Sequence, residues 1–327
     1  MIKKFLLKQN SVLWVIALGS IIVPFLLPNR YFQDIAVMTF LWSGLAASWN
    51  LYSGYCKRLS IGHASFLGIG AYTSTLLYLN FGISPWIGML AGGAISAVAA
   101  LIIGGTTLRL KGTFFVLSTI AFGEILKVLT ITSKNITAGA LGLMVPFHPG
   151  FANMIWQGKI PYAILTWLYM LIVLFIGVRL EKSKLGYSLI ALGENQEAAE
   201  NLGVNSTKVM LTVFVMSAVL TSFGGTIFAQ YIMFIEPTSV MGLPNSINFI
   251  LLAIAGGMGT AFGPMIGSFI LTPVSNLLRG YIGEISGLHG FILGMVLIVI
   301  LLFRPDGILP QLKLFFRRLL TKPGRGE

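Results

Sequence analysis

Apolar runs of about twenty residues recur along this chain, and no other feature constrains its fold as strongly. Inside a bilayer core every backbone polar group must be bonded within its own segment, so apolar runs of this length read as transmembrane helices. They fall at 11–28, 35–53, 59–80, 85–107, 113–133, 160–179, 208–232, 245–258, 262–279 and 287–304. The expected fold is therefore an all-α polytopic bundle of about ten spans. The eighth and ninth segments are short and meet at Gly256, Gly257 and Gly259, so they read either as two crossings or as a re-entrant pair in an eight-span chain. Composition agrees, because only 10% of the 327 residues are charged, whereas soluble domains carry about 25%. That argues against a water-soluble enzyme, and the 56% hydrophobic content argues against disorder.

The net charge of +12 has two readings, nucleic acid or membrane topology, and the positions of the basic residues separate them. With the N-terminus inside, the inner segments hold Lys3, Lys4, Lys8, Lys57, Arg58, Arg109, Lys111, Arg179, Lys182, Lys184, Lys208, Arg304, Lys313, Arg317, Arg318, Lys322 and Arg325. The outer segments hold Arg30, Lys134, Lys159 and Arg279, and Lys127 falls within a span. This bias predicts that both termini are cytoplasmic. An eight-span chain has the same parity, so charge does not decide the span count. The basic residues are scattered over short loops without a contiguous stripe, so no nucleic-acid partner is expected. The opening MIKKFLLKQN followed by SVLWVIALGSIIVPFLLP lacks a small-residue cleavage pattern and reads as an uncleaved first span.

Glycine and ionisable residues within the spans carry two readings each. Gly62, Gly68 and Gly70 in the third span, like Gly263 and Pro264 later, fit either close helix packing or the broken helices that line a transport path. Glu124 and Lys127 are three apart, which places them on one helix face, either as a pair locking helices together or as a lining for a solute with both charges. Ten spans split five and five would leave the halves inverted, although no internal sequence repeat accompanies that arithmetic. Cys56 is the single cysteine, so no internal disulfide is expected, and no cluster with metal-ligand spacing occurs. The chain has no GxxxxGK[ST], HExxH or GxSxG run, so it is not expected to be an enzyme or to bind nucleotide itself.

Between the sixth and seventh spans, within 180–207, lies the segment EKSKLGYSLIALGENQEAAENLGVNSTKV. Asn195 is placed to cap a short helix through Gln196, Glu197, Ala198, Ala199 and Glu200, and Gly203 to end it. A short polar helix at the cytoplasmic face suits docking on a partner, and an ordinary polar connector is the plainer reading.

Glu197, Ala198, Ala199 and Gly203 match the EAAxxxG loop of ATP-binding cassette importer permeases, and ALGENQEAAENLGV resembles the version in branched-chain amino acid permeases. GHASFLGIGAY, GTFFVLSTIAFGEILK, TAGALGL, GGMGTAFGPMIGS and FRPDGILP extend the resemblance over roughly residues 30 to 310, to the second permease subunit of that two-permease system. The chain departs from the family pattern at Thr137, Ala138 and Gly139, where TGG is usual, and at Lys127, where arginine is more typical; a lysine keeps the charge but loses the bidentate fork.

The resemblance implies one permease domain over 1–327 with a basic cytoplasmic tail at 305–327, in the cytoplasmic (inner) membrane of a bacterium or archaeon. It implies a second permease, two cytoplasmic ATPases that bind ATP and magnesium, and an extracytoplasmic solute-binding protein, with no cofactor in this chain. The solute is expected to be Leu, Ile or Val, with urea or short-chain amides as alternatives within the family and an ion-gradient-driven transporter as the alternative outside it. Gly193, Glu194, Asn195, Glu197, Ala198, Ala199 and Gly203 are the expected ATPase-coupling residues. His63, Phe66, Gly68, Gly70, Tyr72, Thr119, Glu124, Thr137 and Gly139 are the expected solute-path residues.

Overall fold

The computed structural model describes residues 12–110 and 112–282, and beyond them 291, 294, 295, 298, 302 and 307–310. The expected tenth span at 287–304 and the basic tail at 305–327 lie mostly outside the described residues, and Lys3, Lys4, Lys8 and Lys111 lie outside them altogether. Most of the described residues are helical. Long helices are α1 (Val12–Leu26), α2 (Arg30–Ser53), α3 (Ala64–Phe81), α4 (Pro85–Thr107), α5 (Thr113–Thr132) and α6 (Lys159–Glu181). Then come the short α7 (Lys184–Glu194) and α8 (Gln196–Asn201), the long α9 (Ser206–Ile232), the brief α10 (Pro237–Met241), and α11 (Leu243–Gly256) and α12 (Gly263–Ile282).

Local chemistry sets many of these boundaries. Asn29 caps α2 by accepting from the Tyr31 amide, Asn205 caps α9 by accepting from Lys208, and Glu236 and Ser239 form a reciprocal capping box on α10. Proline occupies the first turn of α4, where its missing N–H costs nothing. The third apolar run begins at 59, yet α3 starts only at Ala64. The intervening turn is committed elsewhere: Trp49 Nε1 donates to the Ser60 carbonyl at 2.7 Å, and His63 is held by serines on both ring nitrogens.

α2, α3, α4 and α9 form the centre, and α3 and α9 touch at backbone distance. A Cβ on Gly70 would lie 2.0 Å from the Ser222 carbonyl, and one on Gly225 would lie 2.0 Å from the Leu67 carbonyl. Small residues are what let helices pack this closely where lipid supplies no hydrophobic drive. A two-residue antiparallel ribbon, β1 (Leu143–Met144) on β2 (Phe234–Ile235), ties the segment after α5 to the end of α9.

Among the described residues, Lys159 and Arg279 lie near the start of α2 and Lys57 and Arg58 follow its end, and at about 1.5 Å per residue α2 is long enough to cross a bilayer. Near its start, Lys159 Nζ sits 2.8 Å from Asp34 and 2.9 Å from the Tyr231 hydroxyl, which also donates to Asp34. Near its end, Asn50 donates to the Thr260 carbonyl and accepts from the Gly259 amide, each at 2.9 Å. Glu181 there accepts from the Tyr55 hydroxyl at 2.8 Å and the Ala261 amide at 2.7 Å. The turn between α11 and α12 therefore sits at the Asn50 end, whereas Asn245 and Arg279 line a cavity with Asp34 at the other. Among the described residues, five helical segments are long and apolar enough to cross a membrane: α4, α5, α6, α9 and the joined α10–α11.

Candidate functional site

The segment between α6 and α9 folds as a helical elbow. Ser183 caps α7 by accepting from the Gly186 amide at 3.0 Å, and Asn195 caps α8 by accepting from the Ala198 amide at 3.0 Å. At the far end Gly203 is left-handed at φ +86°. Its amide donates to the Glu200 carbonyl, and Val204 donates to Ala199, the paired bonds of a Schellman close. The start and stop expected from Asn195 and Gly203 are both present. α7 buries Leu189 and Leu192, and α8 buries Ala199. Glu197 and Ala198 face outward, and Leu202 is 87% exposed.

This elbow is seated on the turn after α2. A Cβ on Gly193 would meet the Tyr55 carbonyl at 2.8 Å and the Cys56 carbonyl at 3.0 Å, so only glycine lets α7 rest on that backbone. Lys57 pairs with Glu194 at 2.7 Å. Arg58 donates to Gln196 Oε1 at 2.5 Å, and Gln196 Nε2 donates to Glu200 at 2.8 Å. Of the three clustered glutamates, Glu194 pairs with Lys57, Glu200 accepts from Gln196, and Glu197 lies in the first turn of α8, where the helix dipole favours a carboxylate. Lys57, Arg58 and Leu202 stand at this elbow without having been expected there, and Gln196 was expected only as a residue of the short helix. The two basic residues read as topological charge, and nothing in a six-residue helix marks which apolar side chain will stand outside.

The expected solute-path residues do not form one lining. His63 is fully buried, with Nδ1 2.8 Å from Ser60 Oγ and Nε2 2.8 Å from Ser217 Oγ, and Ser217 donates to the Ser48 carbonyl at 2.7 Å. Phe66 packs edge-on to His63 and Phe214. A Cβ on Gly68 would meet Met241 at 2.1 Å, which puts Gly68, like Gly70, at a close helix contact. Thr119 accepts from the Ile61 amide at 3.2 Å and donates to the Val116 carbonyl at 2.8 Å. Tyr72 is buried, and among the described residues its hydroxyl has no hydrogen-bond partner. At the end of α5, Thr137 donates to the Thr130 carbonyl at 2.5 Å and accepts from the Gly139 amide at 3.3 Å. Ala138 and Gly139 are both left-handed there, at φ +57° and +62°.

Glu124 and Lys127 form the expected pair at 2.5 Å, with their side chains 38% and 20% exposed. They ride on α5, which is largely uncovered: Phe114, Leu117, Ile125, Val128 and Leu129 are each more than half exposed. An ion pair on a helix with so few neighbours is either paired against lipid at high cost or turned toward another protein surface. A separate cavity of about 530 Å³ lies among α2, α9, α11 and α12, where Asp34, Asn245 and Arg279 give way to Trp42, Leu251 and Leu271. Among the described residues, no three His, Cys, Asp or Glu side chains group as a metal site.

Residues 31–301 match the protein family described as branched-chain amino acid transport system, permease component. The high-affinity branched-chain amino acid transport system permease protein LivM of Salmonella typhimurium is 30% identical over 94% of this chain and 77% of its own length. LivM of Escherichia coli is 29% identical over the same shares. The autoinducer 2 import system permease protein LsrC of Yersinia enterocolitica is 30% identical over 42% of this chain and 39% of its own length. A solved metal-chelate type ABC transporter in an inward-facing conformation aligns with 93% of this chain and 100% of that one, at 16% identity and a TM-score of 0.45. With its apolar helices and these relatives, the chain is a multi-pass membrane protein, and it belongs to the permease-component family of branched-chain amino acid transport systems.

Proposed function

We propose that this chain is one membrane-spanning half of an ATP-binding cassette importer that carries leucine, isoleucine or valine into the cytoplasm. It acts in the cytoplasmic (inner) membrane of a bacterium or archaeon, beside a second, related permease. Two ATPases bind ATP and magnesium below it, and a solute-binding protein delivers from outside. The chain crosses about ten times with both termini cytoplasmic, and five-plus-five inverted halves fit that count. The placement of the α11–α12 turn at the Asn50 end supports two crossings there rather than a re-entrant pair. Residues 1–327 act as one permease domain, with 180–207 as its coupling loop and 305–327 as its basic tail.

The observation that carries this reading is α8. A capped six-residue helix, anchored by Ala199 and closed by Gly203, presents Glu197, Ala198 and Leu202 at the end of the bundle where Lys57, Arg58 and Lys182 gather. Closure of the ATPases pushes on this helix, and the elbow passes the push to the turn after α2. Gly193, Glu194 and Asn195 set the elbow, and Glu197, Ala198, Ala199 and Gly203 form the contact. The solute passes along the uncovered face of α5, between the two permeases. Glu124 and Lys127 there offer one group for each end of a zwitterion. His63, Phe66, Gly68, Gly70, Tyr72 and Thr119 hold the wall behind it, and Thr137 and Gly139 shape its outer mouth.

The test is replacement of Glu197 by Lys and of Gly203 by Val in the assembled complex, with ATP hydrolysis and labelled leucine uptake measured on the same vesicles. Both should lose solute-stimulated hydrolysis and uptake while the complex still assembles. Unchanged hydrolysis and uptake would refute the role of α8. Uptake of urea in place of leucine would reassign the solute and leave the coupling intact.

A further inference from the structure

Reading α8 as the ATPase contact leaves open how its displacement reaches α5, and one side chain spans that gap. Arg58, half-buried, donates through Nη2 to Gln196 Oε1 at 2.5 Å, and through Nη1 to the carbonyls of Leu108 at 3.1 Å and Leu110 at 3.2 Å. Gln196 is the first residue of α8, and its amide is held in orientation by the bond to Glu200. Leu108 is the C-terminal cap of α4, and Leu110 lies two residues before Gly112, which is left-handed at φ +59° and precedes α5. We infer that Arg58 is a positioning residue for transport, a strut that passes movement of α8 to the hinge between α4 and α5. This rests on the coupling role proposed above for α8.

Among the described residues, the contacts that Gly193, Lys57 and Arg58 make between the elbow and the turn after α2 are not equivalent. Gly193 rests on the Tyr55–Cys56 backbone, which makes α7 and that turn move together. Lys57 and Glu194 are 54% and 63% exposed, so water screens the pair, and it ends on α7. Among the three, Arg58 alone continues to α4. Its positive charge also faces carbonyls at a helix C-terminus, where intrahelical partners are missing and the dipole favours a cation. The fork is essential to the arrangement, because one guanidinium group holds a side-chain amide and two backbone carbonyls at once. A lysine ammonium keeps the charge without that rigid span.

What lies beyond the strut is built to respond. A Cβ at Gly112 would meet nothing within 4 Å, so the hinge has room. α5 has an uncovered outer face and carries the Glu124–Lys127 pair. A small rotation at Gly112 therefore moves that pair, and the repacking it needs falls on the inner face of α5, where Thr119 meets the turn at Ile61 and Gly62.

The test uses the complete complex of both permeases and both ATPases in vesicles, reading ATP hydrolysis and leucine uptake together. Arg58→Lys and Gln196→Leu should each leave hydrolysis close to wild type and lower leucine imported per ATP about tenfold. The double variant should lose no more than either alone, because both remove one link. A spin label at Ile125→Cys, in a Cys56→Ser background, should lose its nucleotide-dependent shift when Arg58→Lys is added. If hydrolysis, uptake and complex yield fall in step, or if the ratio and the label shift stay at wild type, Arg58 is not a strut. Glu197→Lys separates the two levels of the account. Should Glu197→Lys abolish coupling while Arg58→Lys does not, the role of α8 stands and the strut falls; should Glu197→Lys change nothing, the role of α8 falls first.

Discussion

α9 and α5 are nearly equal in apolar character, and the bundle uses them in opposite ways. Of the most apolar stretch of each, 61% is buried in α9 and 17% in α5. α9 owes its burial to small and hydroxyl-bearing residues. Ser217, Ser222, Gly224, Gly225 and Thr226 sit where α2 and α3 approach, and Thr226 donates to the Gly70 carbonyl at 3.1 Å. α5 instead turns Phe114, Leu117, Ile125 and Val128 outward and keeps contact through Phe115, Thr119 and Gly123. Hydropathy therefore indicates that a helix suits lipid, while the distribution of small residues indicates which helix others can approach.

The contrast is broken most severely at α9. Gly225→Leu drives a side chain into the Leu67 carbonyl, and the overpacking should cost about 3 kcal/mol, read as a large fall in apparent melting temperature in detergent. A leucine tolerated there without loss would mean that α3 and α9 are not in backbone contact. The next largest effect is functional and falls on α5. Glu124→Gln leaves Lys127 without its partner, and leucine uptake should fall about tenfold with only a small change in melting temperature. Uptake at wild-type rate and affinity would make the pair idle. A loss of folded protein in place of uptake would make it structural.

Two smaller effects sharpen the picture. Ala138 is held left-handed at φ +57°, where a Cβ costs roughly 1–2 kcal/mol, so Ala138→Gly should stabilise the loop after α5 by about 1 kcal/mol once the entropy of glycine is deducted. A lower melting temperature would argue against that backbone conformation. Ile125→Ala, on the open face, should change the stability of the isolated chain by no more than about 0.5 kcal/mol while weakening assembly with the second permease. Equal assembly would place that face against lipid.

Much of this is legible in the amino-acid sequence. The bounds of α4, α5, α6 and α9 follow from apolar runs ended by Gly, Pro and charged residues. The caps of α8 follow from Asn195 and Gly203, and the Glu124–Lys127 pair from a three-residue spacing on one helix. What was hidden is long-range. Arg58 and Gln196 are 138 residues apart, and Asp34, Lys159 and Tyr231 come from three helices, so no local pattern brings them together. His63 looked like a candidate for the solute path because it is an ionisable residue in an apolar run. Its serine partners on α9 and in the preceding turn emerge only once α3 and α9 are packed.

The central claim is that ATP hydrolysis by partner subunits, received at α8, moves solute past α5. The most direct measurement is labelled leucine uptake into vesicles holding this chain with its partner permease and ATPases, with and without ATP and with α8 intact or carrying Glu197→Lys. The account predicts uptake that requires ATP and is lost with Glu197→Lys. Uptake by this chain alone, driven by a sodium or proton gradient without ATP, would contradict it.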